Sequence, residues 1–150
     1  AGTDTGIFRS INGGRSWRPL SFPPELAPVL SLAVSPAYPE DETLFAGTEA
    51  CGLYVSRDDG QSWQRVSPEL FPETVNTVLI STGSSGALHL AVATDSVLYV
   101  SYDTGNTWYH LELGLPEDEG ISTMAAPSGV QPGMPLLVGV TDGRIIQCVI

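Results

Sequence analysis

Lysine is absent from this chain. Its six basic residues are all arginines, Arg9, Arg15, Arg18, Arg57, Arg65 and Arg144, and seventeen carboxylates set the formal charge at −11. So acidic a surface repels phosphate, which argues against nucleic acid and anionic membrane surfaces as partners. Cysteine is scarce: Cys51 and Cys148 are too few for a disulfide framework and read as two separate thiols. No apolar run approaches the roughly 20 residues that span a bilayer, so membrane insertion is not expected. The helical period is missing too, and a single helical turn within residues 68–74 is the most that the pattern allows. GxSxG, P-loop and EF-hand spacings are absent, and neither His89 nor His110 has a second ligand at metal spacing. No metal or cofactor is therefore expected. The chain opens AGTDTG without Met, which fits a processed or truncated N-terminus.

What the sequence does contain is repetition. SRDDGQSW (residues 56–63) is matched by SYDTGNTW (101–108) and, with Asn12 for the aspartate, by SINGGRSW (10–17). Ser10 to Ser56 is 46 residues and Ser56 to Ser101 is 45, and Trp17, Trp63 and Trp108 keep those intervals. AGT (1–3), AGT (46–48), VAT (92–94) and GVT (139–141) align as well, each followed by an acid: Asp4, Glu49, Asp95 or Asp142. Next come GIFRS, GLYVS, VLYVS and RIIQC. Each unit reads as four short strands rich in Val, Leu, Tyr and Thr, with Gly, Pro and Asp between them. A four-stranded unit of about 45 residues is the period of a propeller blade.

The expected fold is therefore an all-β, partial β-propeller of one domain, with repeat units at about 1–28, 29–74, 75–120 and 121–150. With the strands of a blade labelled A to D from the axis outward, the chain reads B-C-D, A-B-C-D, A-B-C-D, A-B-C. That is about three and a half blades, too few to close a ring alone. Two accounts stand: a piece of a longer propeller, or copies that associate. The unpaired strand edges are templates for pairing, so a protein partner or self-association is expected.

The octapeptide falls at the C–D hairpin. There Asn12, Asp58 or Asp103 can accept backbone N–H bonds, Gly14, Gly60 or Gly105 can take positive φ, and Ser10, Ser56 or Ser101 can add a hydroxyl. Trp17, Trp63 and Trp108 then start strand D as apolar wedges between blades. These residues resemble the Asp-box, or BNR, repeat, and the resemblance covers nearly the whole chain. That family includes sialidases, xyloglucan-type glycoside hydrolases, sortilin-like receptors and photosystem II assembly factors. The resemblance implies a propeller whose Asp-boxes lie away from the binding centre, and, since such proteins are often exported, an extracytoplasmic location.

Activity has to be argued from a site. A sialidase needs three arginines on the substrate carboxylate, and here only Arg9 is placed to grip; Arg15, Arg18, Arg57 and Arg65 recur with the repeat. Other glycoside hydrolases need two carboxylates about 5–10 Å apart. Asp4, Glu49, Asp95 and Asp142, one per B–C turn, form a candidate rim for a ligand or basic partner; each also follows Thr, where an acid can close a hairpin. PEDE (39–42) and PEDE (116–119) lie in A–B and D–A loops on opposite faces and read as solvated tips. Phe22, Leu70 and Phe71 sit in the variable D–A loops, where recognition commonly resides, and are candidate partner contacts. The expected function is a non-catalytic scaffold that binds protein; the alternative is part of a glycoside hydrolase with catalytic residues largely outside these 150 residues. Glycan binding through Trp and Tyr is a third candidate, although packing claims the three Trp.

Overall fold

The computed structural model describes all residues, Ala1–Ile150. They form fourteen strands in four antiparallel sheets. β1 (Gly2–Thr3), β2 (Gly6–Arg9) and β3 (Arg18–Pro19) make the first sheet; β4 (Val29–Val34), β5 (Leu44–Thr48), β6 (Leu53–Ser56) and β7 (Gln64–Val66) the second. β8 (Thr77–Thr82), β9 (Leu88–Ala93), β10 (Val97–Ser101) and β11 (Tyr109–Glu112) make the third; β12 (Ile121–Ala125), β13 (Pro135–Val140) and β14 (Ile145–Val149) the fourth. Strands pair only with their neighbours in sequence, so each sheet is a meander and each is one blade. The 3-4-4-3 division is the one that the repeat predicts, and the ring is open. The helical turn expected within 68–74 has a counterpart at 67–71, and a second, not expected, lies in the first D–A loop. A 3-10 turn occupies Pro24–Leu26, whereas at residues 67–71 the Ser67 carbonyl accepts from Leu70 and Phe71 at 2.9 and 3.0 Å. Pro72, with no N–H to donate, stops that turn.

The blades stand side by side with their inner strands adjacent: β1 touches β4, β4 touches β8, and β8 touches β12. The Val78 N–H donates to Ser31 Oγ at 2.9 Å across one such junction. The apolar core consequently lies between blades. Ala33, Phe45, Leu53 and Val55 of the second blade meet Val75, Val78, Leu88, Leu90 and Val92 at the third. A blade with neighbours on both sides must be apolar on both faces, which explains why every residue of β5 and β9 is buried. The AGT triplet has its reason here too. A Cβ on Gly47 would lie 2.7 Å from Val75, and one on Gly2 would lie 2.7 Å from Val29.

Aromatic wedges fill these junctions. Phe71, fully buried, meets Trp108 edge-to-face at 5.0 Å and Tyr99 at 5.0 Å. One blade earlier Phe22 meets Trp63 at 5.2 Å and Tyr54 at 6.2 Å. Each loop aromatic thus fits against the tryptophan of the following blade. Phe22 (5% exposed) and Phe71 (0%) are therefore core residues and not the partner contacts that their loop positions suggested. Burying a phenyl ring is worth more to the junction than presenting it to solvent. Trp17 is 51% exposed. At the other end β14 leaves Ile145 and Val149 exposed.

Phe71→Ala is expected to cost about 3–5 kcal/mol, because it empties the junction of the second and third blades. Ile145→Ala, on the open edge, is expected to stay within about 0.5 kcal/mol. Urea midpoints of the two variants test this contrast.

Candidate functional site

The octapeptide hairpins join strands C and D. In the second blade Ser56 Oγ donates to Asp58 Oδ1 (2.8 Å) and accepts from the Gly60 N–H (2.8 Å). Asp58 Oδ1 also accepts the Gln61 and Ser62 N–H groups at 3.1 and 2.9 Å. The third blade repeats the pattern with Ser101, Asp103, Gly105 and Thr107. In the first, Asn12 Oδ1 accepts from Ser10 Oγ at 3.0 Å and from the Ser16 N–H at 3.0 Å. Gly14, Gly60 and Gly105 have φ of 84°, 81° and 84°, where a side chain would be strained. Most of the hydrogen bonds of these side chains are made within the turn, so the hairpins hold the corner of the blade.

The loops at the C–D end also hold the arginine that had looked free to grip a carboxylate. Arg9 pairs with Asp59, in the next blade's hairpin, and stands 5.8 Å from the Tyr38 ring. The Tyr38 hydroxyl donates to the same Asp59. This hydroxyl first, then the guanidinium, holds the Asp59 carboxyl below the usual range. Arg9 is a strut between the first two blades.

The opposite face is built from B–C turns and D–A loops. Arg144 near the last B–C turn pairs with Glu119 of the third D–A loop, and Thr74 Oγ1 donates to the Glu49 carbonyl at 2.7 Å. The threonine closes the first three B–C turns: Thr3 Oγ1 donates to the Gly6 carbonyl (2.9 Å), Thr48 Oγ1 to Gly52 (2.8 Å) and Thr94 Oγ1 to Val97 (3.2 Å). Asp4, Glu49, Asp95 and Asp142 are exposed, one per blade. They are not chemically equal. Asp142 is bound by Arg144, whose backbone N–H and then guanidinium lower its pKa. Asp95 accepts from Asn76 Nδ2 at 2.9 Å. Nowhere do three or more His, Cys, Asp or Glu side chains converge as a metal site.

Two shallow hollows lie on this face. One, of about 250 Å³, is lined by Leu70, Glu73, Thr74, Asp95, Ser96 and Tyr99. The other, of about 220 Å³, shares Ser96 and adds Glu112, Leu113 and Leu115. Carboxylates, hydroxyls and a tyrosine ring braced from behind by Phe71 suit a hydroxyl-rich ligand, which needs paired acceptors and donors over an apolar plane. Asp95 and Leu70 were legible in the sequence as rim residues. Tyr99 and Glu73 were not, because Tyr99 belongs to the repeating strand C and looked like blade structure. Its counterpart Tyr54 is 8% exposed whereas Tyr99 is half-buried, and the repeat carries no sign of this difference.

No protein-family model matches the chain. It is 32% identical over 107 residues to an oligoxyloglucan-reducing end-specific xyloglucanase of Emericella nidulans, an alignment of 67% of this chain and 13% of that protein. Among solved structures, an ancestral GH74 enzyme superposes with a TM-score of 0.74 at 18% identity, covering 98% of this chain and 20% of that one. A GH74 enzyme of Niastella koreensis superposes with a TM-score of 0.69 at 20% identity, covering 95% and 24%. These likenesses show the β-propeller fold. The chain spans about an eighth of the length of the curated relative and under a quarter of the solved ones.

Hydrogen bonds to Ser62 and Thr107 lead in lowering the Asp58 and Asp103 carboxyls from 3.8 to about 2. Both ionise more readily folded than unfolded, so their stabilisation is fully present above about pH 5 and fades as pH falls through 3.8 toward 2. Urea midpoints should drop over that window, and the drop should be shallower in Asp58→Asn and Asp103→Asn.

Proposed function

We propose that this chain is one segment of a β-propeller glycoside hydrolase acting on xyloglucan-type polysaccharides. Within that enzyme it supplies sugar-binding surface, and the catalytic machinery lies largely outside it. The observation that carries this reading is the 32% identity, over two thirds of the chain, to a xyloglucanase. The octapeptide hairpins support membership of the Asp-box family, whose boxes stand opposite the ligand face. Tyr99 is the stacking plane, and Glu73, Asp95, Thr74 and Ser96 are the hydroxyl partners. An exported, extracytoplasmic protein fits a polysaccharide substrate.

Calorimetric titration with xyloglucan oligosaccharides tests the proposal. Binding is expected, weakened about tenfold by Tyr99→Ala, which corresponds to about 1.4 kcal/mol. No release of reducing ends is expected from the chain alone. A folded protein that binds no xyloglucan oligosaccharide, or binds it equally well without Tyr99, would overturn this reading.

A further inference from the structure

The four rim acids differ in what holds them. Asp4 and Glu49 are exposed, and their carboxylates are unbonded within the chain. Asp142 is paired with the cationic Arg144. Asp95 alone is held by a neutral group: its Oδ1 accepts from Asn76 Nδ2 at 2.9 Å, and its Oδ2 takes no bond from the chain. It is thus oriented without being neutralised. A carboxylate in that condition can accept a ligand hydroxyl strongly and loses little freedom in doing so.

The orientation comes from Asn76, which stands just ahead of β8. Its backbone N–H donates to the Ala93 carbonyl at 2.9 Å, which fixes it beside the end of β9. Its Nδ2 has two protons and two acceptors, Asp95 Oδ1 and the Ile121 carbonyl, the latter at 3.0 Å. Turned over, the amide would set its oxygen against a carboxylate and a carbonyl, so a single orientation is allowed. The Ile121 N–H in turn donates to the Asp95 carbonyl at 2.7 Å. Asn76, Asp95 and Ile121 are therefore joined pairwise between the third and fourth blades.

The blade itself does not require this amide. At the repeat intervals of 46 and 45 residues, Asn76 corresponds to Leu30 and Ile121, and neither side chain can donate a hydrogen bond. The blade that carries the amide is also the one whose strand C tyrosine is open. Asp95 and Tyr99 line the same hollow.

We propose that Asn76 is a positioning residue of the sugar site: it holds Asp95 so that the unbonded carboxylate oxygen receives a sugar hydroxyl beside Tyr99. This role rests on the carbohydrate-binding reading above. Asn76 acts through Asp95 and needs no contact with the sugar.

The test is a double-mutant cycle, read by calorimetric titration with xyloglucan oligosaccharides. Asn76→Leu, which restores the side chain found at position 30, is expected to weaken binding about fivefold, the worth of one hydrogen bond. Asp95→Ala should weaken it at least as much, and the double variant no more than Asp95→Ala alone. Asn76→Ala is a second probe with the same expected coupling. In the unliganded protein, Asp95→Ala should also shift the NMR signals of the Asn76 side-chain amide. A loss from Asn76→Leu that persists in full without Asp95 would overturn the positioning role, since Asn76 would then act on the fold at large. Unchanged affinity in Asn76→Leu, or unmoved amide signals, would overturn it too. Each of these leaves the carbohydrate reading standing. If the unaltered chain binds no xyloglucan oligosaccharide, that reading falls and this role falls with it.

Discussion

The whole structure depends on packing across blade junctions. A four-stranded sheet two or three residues deep on each side cannot bury its apolar faces by itself, so each blade is stable only against the next. This requirement explains why β5 and β9 are buried throughout, and why glycine sits where Gly47 meets Val75. It also explains why a phenylalanine from each of the first two connecting loops is drawn inward against the following blade's tryptophan. The loops are thereby tethered, and with them the turns that form the candidate face.

Polar groups divide between the two ends of the blades. At the C–D end, Asp58 and Asp103 are bonded by the backbone and hydroxyls of their own hairpins, and Arg9, Asp59 and Tyr38 hold neighbouring blades together. At the other end, threonine closes the turns and leaves most of the acidic side chains exposed. Glu73 and Ser96 lie beside Tyr99 there, while Asp95 takes a bond from Asn76 and the Thr74 hydroxyl gives one to the Glu49 carbonyl.

Much of this was legible before any coordinate. A period of 45 to 46 residues, with turn residues at fixed offsets, specifies four-stranded units because strands alternate and hairpins need particular backbone angles. The rim acids were legible for the same reason. Phe22 and Phe71 were misread as contacts because loop position was taken to mean exposure, while the strongest force on a phenyl ring is burial. Arg9 looked free because its partner Asp59 is fifty residues away, and Tyr99 looked structural because its counterpart Tyr54 is.

The sequence by itself determined the all-β class, the 3-4-4-3 division of strands and the hairpin chemistry, since all of these rest on local periodicity and short-range hydrogen bonds. The tertiary structure alone decided which loop aromatics are wedges, which arginines are already paired and which tyrosine is open. Those depend on side chains from different blades meeting across a gap, and one-dimensional spacing carries no measure of that gap.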